Sequence, residues 1–557
     1  EWGETHALND GSVSIPDSLT QLSAGGGSGV VLSDGTLVFP MQATKTGGKT
    51  VLLAMRFTKS KRKWELSYST MAADCRDPSI VEWDGQTLLM IASCGDGYYH
   101  VYESASGGKI WSQLGVPITR AWENSQNRQA GGAQSGVTTV EIEGRKVMLL
   151  TVPVLAEEGS GAAKGKGRLR LWLTDTVHTV DVGSVSREGD DAGAGSLLYG
   201  SKKKELILLY EKKTSGDSYS LVTVNLTAQL QRVHEVVRTW KDVDNTLKTC
   251  SASGQAKGLC AGPVPTKGLV GFLSAKSTGS EWGDEYFGVN ATVTQGKRRV
   301  PNGVTFQGAG AGAVWPVAKA GQIQLYCFAK NRFTLAATVS IHASPGKDGS
   351  SIPLMGAKMM DANSTVLFGL SYTRAKKWEV TVNGKSRNLS ADAGEWVDNA
   401  TYHVALCMHD LNDWHVYVDG KKICSSNRVG HFMKRGAISH FYVGGDSAKG
   451  AEGSHHVTVA NVLLYNRLLE EGEVQTLAAR KVTIPPPEAE KPPIPQGTRV
   501  GGEGAAGAQP LPDVVTSKST AGPRAKSSKA DSSVRGCGAA VLLPLLLLGL
   551  WGGVSLV

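Results

Sequence analysis

Residues 457–467 read Val457-Thr458-Val459-Ala460-Asn461-Val462-Leu463-Leu464-Tyr465-Asn466-Arg467. The run is β-branched, apolar and aromatic, with one interior Asn and neither Gly nor Pro. That composition predicts a buried strand with apolar groups on both faces.

Outward from this strand, between about Gly268 and Leu477, further strands are legible. Phe333-Leu335-Ala337-Val339-Ile341 alternates with its neighbours and predicts a half-buried strand. Trp378–Val382 runs into Asn383-Gly384, and His415–Val418 into Asp419-Gly420; both dipeptides favour two-residue hairpin turns. Several such strands over some two hundred residues predict a jelly-roll β-sandwich of lectin-like type. Fold alone does not establish sugar binding.

Further upstream the pattern changes twice. Leu230, Val233, Val236, Val237, Trp240, Val243 and Leu247 recur at helical spacing and predict one amphipathic helix ending near Cys250. Before it, four strand–turn–strand hairpins turn at Asp34-Gly35, Asp84-Gly85, Glu143-Gly144 and the stretch after Gly200. A repeat of this length with several strands per unit is the signature of a β-propeller. The fold class is therefore all-β: a partial propeller over 1–227, a helix over 228–250 and a sandwich over 262–480.

Composition agrees. Gly numbers 68, charged residues are 20% and the net charge is +9. The basic runs (Lys61–Lys63, Lys202–Lys204, Lys297–Arg299) are scattered and lack interleaved aromatics, which reads as solvated surface and not a nucleic-acid face. Eight cysteines contain no CxxC pair, so no metal and no cofactor is expected. Cys250 and Cys260 close a short loop typical of a structural disulfide in an exported protein. Sequons at Asn225, Asn290, Asn363, Asn388 and Asn399 fit passage through a secretory lumen.

Residues 481–530 carry Pro485-Pro486-Pro487, Pro492-Pro493 and a Ser/Lys-rich run, and read as a disordered stalk. From 531 to 557 a short polar stretch leads into an apolar tail containing Val541–Leu548. Small attachment residues, a spacer and a terminal apolar tail make a GPI-anchor signal, with attachment expected near Asp531 and Ser532. A spanning helix is the competing reading, and it calls for following Lys or Arg, none of which occurs up to Val557. The expected location is the outer leaflet of the plasma membrane.

The wording of 457–467 is more specific than its composition. It resembles the motif VTVxNVxLYNR of the trans-sialidase superfamily of kinetoplastid surface glycoproteins, matching it at all nine specified positions. Ser104–Trp111 is similar to a decayed sialidase Asp box, with Ser106 at the Asp position. The resemblance implies a six-bladed sialidase propeller, of which four units are visible, the rest lying upstream of Glu1. It also implies a long helix between propeller and lectin-like sandwich.

Sialidase chemistry needs three arginines to fork the substrate carboxylate, a Tyr nucleophile activated by Glu, and a separate acid. Carried over by resemblance, the activating Glu falls on Asp77, one triad Arg on Ser93, another on Lys166 (with Arg168 close by), the nucleophile on Ala194, and an arginine-supporting Glu on Glu211. An aromatic platform for the acceptor sugar maps to Lys164. The remaining catalytic groups map upstream of Glu1. No intact catalytic set is left, so the chain is expected to be a non-enzyme.

The leading functional expectation is adhesion to host-cell surface or matrix proteins, or to glycans, with Val457, Thr458, Val459, Asn461, Val462, Leu464, Tyr465, Asn466 and Arg467 as the contact motif implied by the resemblance. The same residues can instead be plain buried strand. Residual sialidase or trans-sialidase activity and a variable-coat or immune-decoy role are the alternatives.

Overall fold

The computed structural model describes residues 15–68, 71–94, 99–114, 136–155, 167–216, 218–251, 259–294, 297–319, 323–324, 329, 332–343, 351–387, 389, 393–410, 413–426, 438–446 and 455–487. Lys164, Lys166, Asn388, Asp531 and Ser532 lie outside them, as do the stalk and tail beyond residue 487.

Four antiparallel sheets follow one another along the chain. The first spans Leu19–Ala24 to Met71–Ala73, the second Cys75–Asp84 to Ser112–Leu114, the third Gly136–Ile142 to Thr179–Ser184 and the fourth Asp191–Gly200 to Tyr219–Asn225. Each contains one of the four hairpins expected from the repeat. Apolar clusters join neighbouring sheets: Val38, Leu52 and Ala54 meet Leu88 and Met90, while Val81, Leu89 and Ile91 meet Met148 and Trp172. Face-to-face stacking of successive sheets is the propeller architecture. The turn read as a decayed Asp box still closes: the Ser104 hydroxyl accepts the Gly108 N–H at 3.0 Å, and Ser106 accepts Ile110 N–H at 3.0 Å. Trp111 is buried and donates to the Gly108 carbonyl. A Ser hydroxyl thus does the turn-closing work of the Asp carboxylate. Cys75 and Cys94 form a disulfide that the sequence did not reveal.

Helix α1 spans Thr227–Lys248 and buries Leu230, Val233, Val236, Val237, Trp240 and Leu247. These are six of the seven positions marked by the helical period. The Cys250–Cys260 disulfide follows, as expected. Beyond it, sixteen strands form one continuous antiparallel network folded into two layers around a core that includes Trp282, Phe306, Trp315, Phe333, Phe441 and Trp414. Asn383-Gly384 and Asp419-Gly420 both have positive φ at each residue, the hairpin turn their sequence demanded. A second helix, α2, spans Glu471–Ala479.

One strand differs from expectation. Phe333–Ile341 is buried at all nine positions instead of alternately. Its second face is covered as well: Ala336 packs in the cluster that holds Val474 and Leu477 of α2. A strand covered on both faces loses its solvent side, and the small Ala336 with hydroxyl-bearing Thr334, Thr338 and Ser340 mimicked an exposed face.

Propeller, α1 and sandwich meet in a buried polar joint. The His178 ring faces the Asp175 carboxylate through Nδ1 (3.1 Å) and the Leu269 carbonyl of the first sandwich strand through Nε2 (3.0 Å). It stacks on Tyr286 with ring centroids 4.2 Å apart. Tyr286 donates its hydroxyl to Asp244 of α1 at 2.8 Å, and the Trp240 indole donates to the Tyr286 carbonyl at 2.8 Å. Arg145 bridges Asp175 and Asp244. Burial works to raise the Asp175 carboxyl; the His178 charge and hydrogen bond, with Arg145, outweigh it and hold the group below the ordinary carboxylate range. Nearby Asp284 is pushed up to about 6 by burial, against backbone N–H donors from Phe272, Tyr286 and Gly288.

Asp175→Asn leaves Arg145 and His178 facing a neutral amide, and such one-sided loss costs about 3–5 kcal/mol. Because the folded carboxyl is depressed, its stabilising contribution is full above the unfolded value of about 3.9 and fades as pH falls below it. Thermal melts of wild type and D175N are therefore expected to differ widely at pH 7 and to converge below pH 4.

Candidate functional site

The first strands of successive sheets lie side by side: Cys75–Asp84 touches Gly136–Ile142, which touches Asp191–Gly200. Gly136 lies so close to the Gly195 carbonyl that a Cβ there would come within 2.8 Å of it. The N-terminal ends of these strands, carrying Asp77 and Ala194, thereby gather at one end of the sheets.

Asp77 has φ +53° and its N–H is held by the Gln42 side chain at 3.0 Å. Burial raises its carboxyl, with Arg76 acting against the shift. Arg76 sits opposite Ser93, and the Cys75–Cys94 bond closes the same end of the hairpin. Asp77 and Ser93 therefore share one corner. Ala194 falls in a bulge, where the register shifts between Ala192 and Gly195. Exposed Glu211 lies on the partner strand opposite Leu221. Arg168 is half-buried opposite Val154.

Several other tyrosines and arginines among the described residues are engaged elsewhere in the fold. Tyr199, the tyrosine following Ala194 on its strand, pairs with Leu206 near the far end of the hairpin. Tyr210 is buried and donates its hydroxyl to Asp190 at 2.6 Å. Arg170 sets Nε and Nη2 on one Asp181 oxygen, Oδ2, at 2.7 and 2.6 Å, and Arg145 is spent in the joint. Asp190 also holds Lys212 at 2.6 Å beside a depression of about 440 Å³ lined by Gly189, Asp191, Lys212, Lys213 and Thr214. Cys75, Cys94 and His100 have metal-ligand spacing, but the two sulfurs are bonded to each other.

The strand that carries the motif is His456–Tyr465. Phe333–Ile341 pairs along one edge. On the other edge His456–Ala460 pairs with Gly303–Gln307, and Val462–Tyr465 pairs with Leu269–Ser277. Asn461 sits at the changeover with φ +50°, a conformation that Asn tolerates better than other side chains. Its N–H meets the Asn302 carbonyl at 3.0 Å; its amide donates to the Leu259 carbonyl at 2.6 Å and accepts from Ser274 at 3.1 Å.

Val457, Thr458, Val459, Val462, Leu464 and Tyr465 are buried. Tyr465 donates to the Pro265 carbonyl at 2.9 Å, Asn466 N–H to Gly268, and Arg467 to Lys267. Arg467 also forks onto Glu473 of α2 at 2.7 and 2.6 Å. The polar groups of the motif are thus engaged in tying residues 259–268 and α2 to the sandwich. Reading these positions as internal needed the pairing partners, which lie about 200 residues away in sequence.

The described sequon residues Asn225, Asn290, Asn363 and Asn399 are all exposed.

Comparison with known proteins bears on the whole chain. A family model for the C-terminal domain of trans-sialidase matches residues 265–472, a BNR repeat-like domain matches 1–211, and a model for the hydrophobic C-terminus of Trypanosoma trans-sialidase matches 531–556. The chain is 32% identical to Sialidase 85-1.1 of Trypanosoma cruzi, covering 99% of itself and 71% of that relative. It is 34% identical to a T. cruzi protein named Sialidase across 82% of this chain, but spans only 38% of that relative's length. Among solved structures, Trypanosoma rangeli sialidase in complex with sialic acid is similar at 38% identity and a TM-score of 0.75, over 86% of this chain and 74% of that one. The same enzyme with 2,3-difluorosialic acid gives 38% and 0.72, over 83% and 71%.

Asn461→Ala removes two side-chain hydrogen bonds, worth about 1 kcal/mol each, and puts in the left-handed region a residue that tolerates it less well than Asn, at a further cost of up to about 1 kcal/mol. Asn461→Gly keeps the conformation and loses only the bonds. Urea unfolding is expected to rank wild type above N461G above N461A.

Proposed function

Since the chain belongs to the trans-sialidase superfamily, we propose that it is a non-catalytic, GPI-anchored surface member that works by contact with host-cell or matrix molecules. The observation that carries this reading is Ala194: the position matched to the nucleophile has a methyl group in a strand bulge. A group that acts only in the transition state is worth several kcal/mol, and each ~1.4 kcal/mol is tenfold in rate. With Ser93 at one arginine position as well, the losses compound. Asp77 and Glu211 are carboxylates without the phenol and forks they would serve.

The anchor reading is supported by the match of residues 531–556 to the hydrophobic C-terminal model. Contact through the nine motif residues is not favoured, because six of them are buried and the other three are hydrogen-bonded inside the chain. Adhesion then belongs to surfaces of the sandwich that folding leaves exposed. A partner in this reading is a host surface or matrix protein, or its glycans.

Purified full chain is expected to release no sialic acid from a fluorogenic sialoside above buffer, while still binding host cells; turnover would overturn the reading. A free peptide spanning 457–467 is expected not to compete for those cells.

A further inference from the structure

Residues 481–486 follow α2 without regular secondary structure and lie against Thr401 and the turn at Asp419. Three contacts hold them. Ile484 is buried and donates its N–H to the Thr401 hydroxyl at 2.9 Å; that hydroxyl donates back to the Ile484 carbonyl. Lys481 pairs with Asp419 at 2.9 Å.

Beneath lies a polar seam. His403 is 3% exposed, and neither ring nitrogen has a hydrogen-bond partner among the described residues. It sits opposite Thr338 on the neighbouring strand, two positions from Ser340, whose hydroxyl is also buried without a partner. Val404 points into the core while Ala405 packs toward α2, so His403 faces the same side as α2 and the segment that follows it. The charged groups facing it are Lys481 from the segment after α2 and Asp419, which accepts the His403 backbone N–H at 2.8 Å. The acidic groups of α2 are engaged elsewhere, Glu471 with Lys422 and Glu473 with Arg467.

We propose that residues 481–486 are an acid-released strap at the root of the stalk, closed over neutral His403 and opened when that ring takes a proton. A second cation beneath Lys481, with no acceptor to take its protons, is unfavourable in a dry seam. The strap can relieve it by lifting, which admits water and costs two hydrogen bonds, the burial of Ile484 and one partly exposed ion pair. Consistent with this, burial pushes the His403 ring down to about 3, with Lys481 adding to the shift. The sign follows. The opened form, with an ordinary ring near 6.5, binds protons that the closed form refuses, so closure weakens as pH falls below that value. The strap proposal is independent of the adhesion reading, since it concerns only how the sandwich meets the segment after it.

The test is hydrogen–deuterium exchange of the full chain, followed over amides 481–484 and corrected for intrinsic rates. Between pH 7.5 and 5.0 their protection is expected to fall about thirtyfold, tenfold for each pH unit below the ordinary histidine value. Core amides of Phe333–Ile341 should keep theirs. His403→Gln should abolish the fall. Unchanged wild-type protection, or an equal fall in H403Q, overturns the proposal. If H403Q does not fold, Lys481→Gln carries the test: without the facing cation the ratio of protection between the two pH values should shrink, and an undiminished ratio overturns it.

Discussion

The sandwich depends on one strand being covered on every side. His456–Tyr465 has partners along both edges and apolar groups on both faces, and it changes partner in mid-course at the Asn461 bulge. A β-strand flips all its side chains when register slips by one residue. Here a slip would move Val457, Val459, Val462 and Leu464 out of the main core together. The left-handed residue and its bonds to Leu259 and Ser274 pin the register at the point where slippage is easiest. Everything that hangs on the strand inherits that precision, including the linker 259–268 and, through Arg467, helix α2.

The same linker leads back to the joint. Leu269, the residue after it, offers its carbonyl to His178 of the propeller and pairs with Tyr465 of the central strand. One backbone unit thus connects the two β-systems directly, and α1 packs across the contact with Trp240 and Asp244. Charged groups in such a joint contribute geometry more than net energy, because desolvation consumes much of their attraction. Apolar burial supplies the cohesion: Leu230, Val233, Val237 and Trp240 share one cluster with Leu269, Phe272, Leu463 and Tyr465. Propeller, helix and sandwich therefore have a common core at this place.

Much of this was legible from residue patterns. The helical period of Leu230 to Leu247 marked the buried face of α1, and the turn dipeptides marked hairpins, because both signals are local. The apolar double face of 457–467 gave its burial. What stayed hidden was non-local. Cys75 and Cys94 pair across a hairpin whose register no spacing rule supplies. Asp175 and His178 take their place in the joint from Leu269 and Tyr286, about 90 to 110 residues further along the chain. The motif positions Asn461, Asn466 and Arg467 looked available for a partner because polar groups beside a strand usually face solvent, whereas their acceptors come from a distant linker. For the candidate site, residue types could be read as present or missing, but the bulge that carries Ala194 and the positive φ of Asp77 required the backbone.

The positions matched to catalytic groups and the motif strand are embedded in the fold to different degrees. The sheets are fastened face to face by Leu, Val, Ile and Met side chains along their length, and Arg56 of the first sheet donates to the Gly107 carbonyl in the turn Ser104–Trp111. The ends that carry Asp77 and Ala194 are fastened too, through the Asp77 N–H on Gln42 of the first sheet and the close approach of Gly136 to the Gly195 carbonyl. Ala194 itself sits in a bulge with only a methyl group to place. The motif strand is the opposite case, since its residues are bound into the core and can change only together. The tightly specified strand, paired along both edges, acts as the support on which the rest of the sandwich is built.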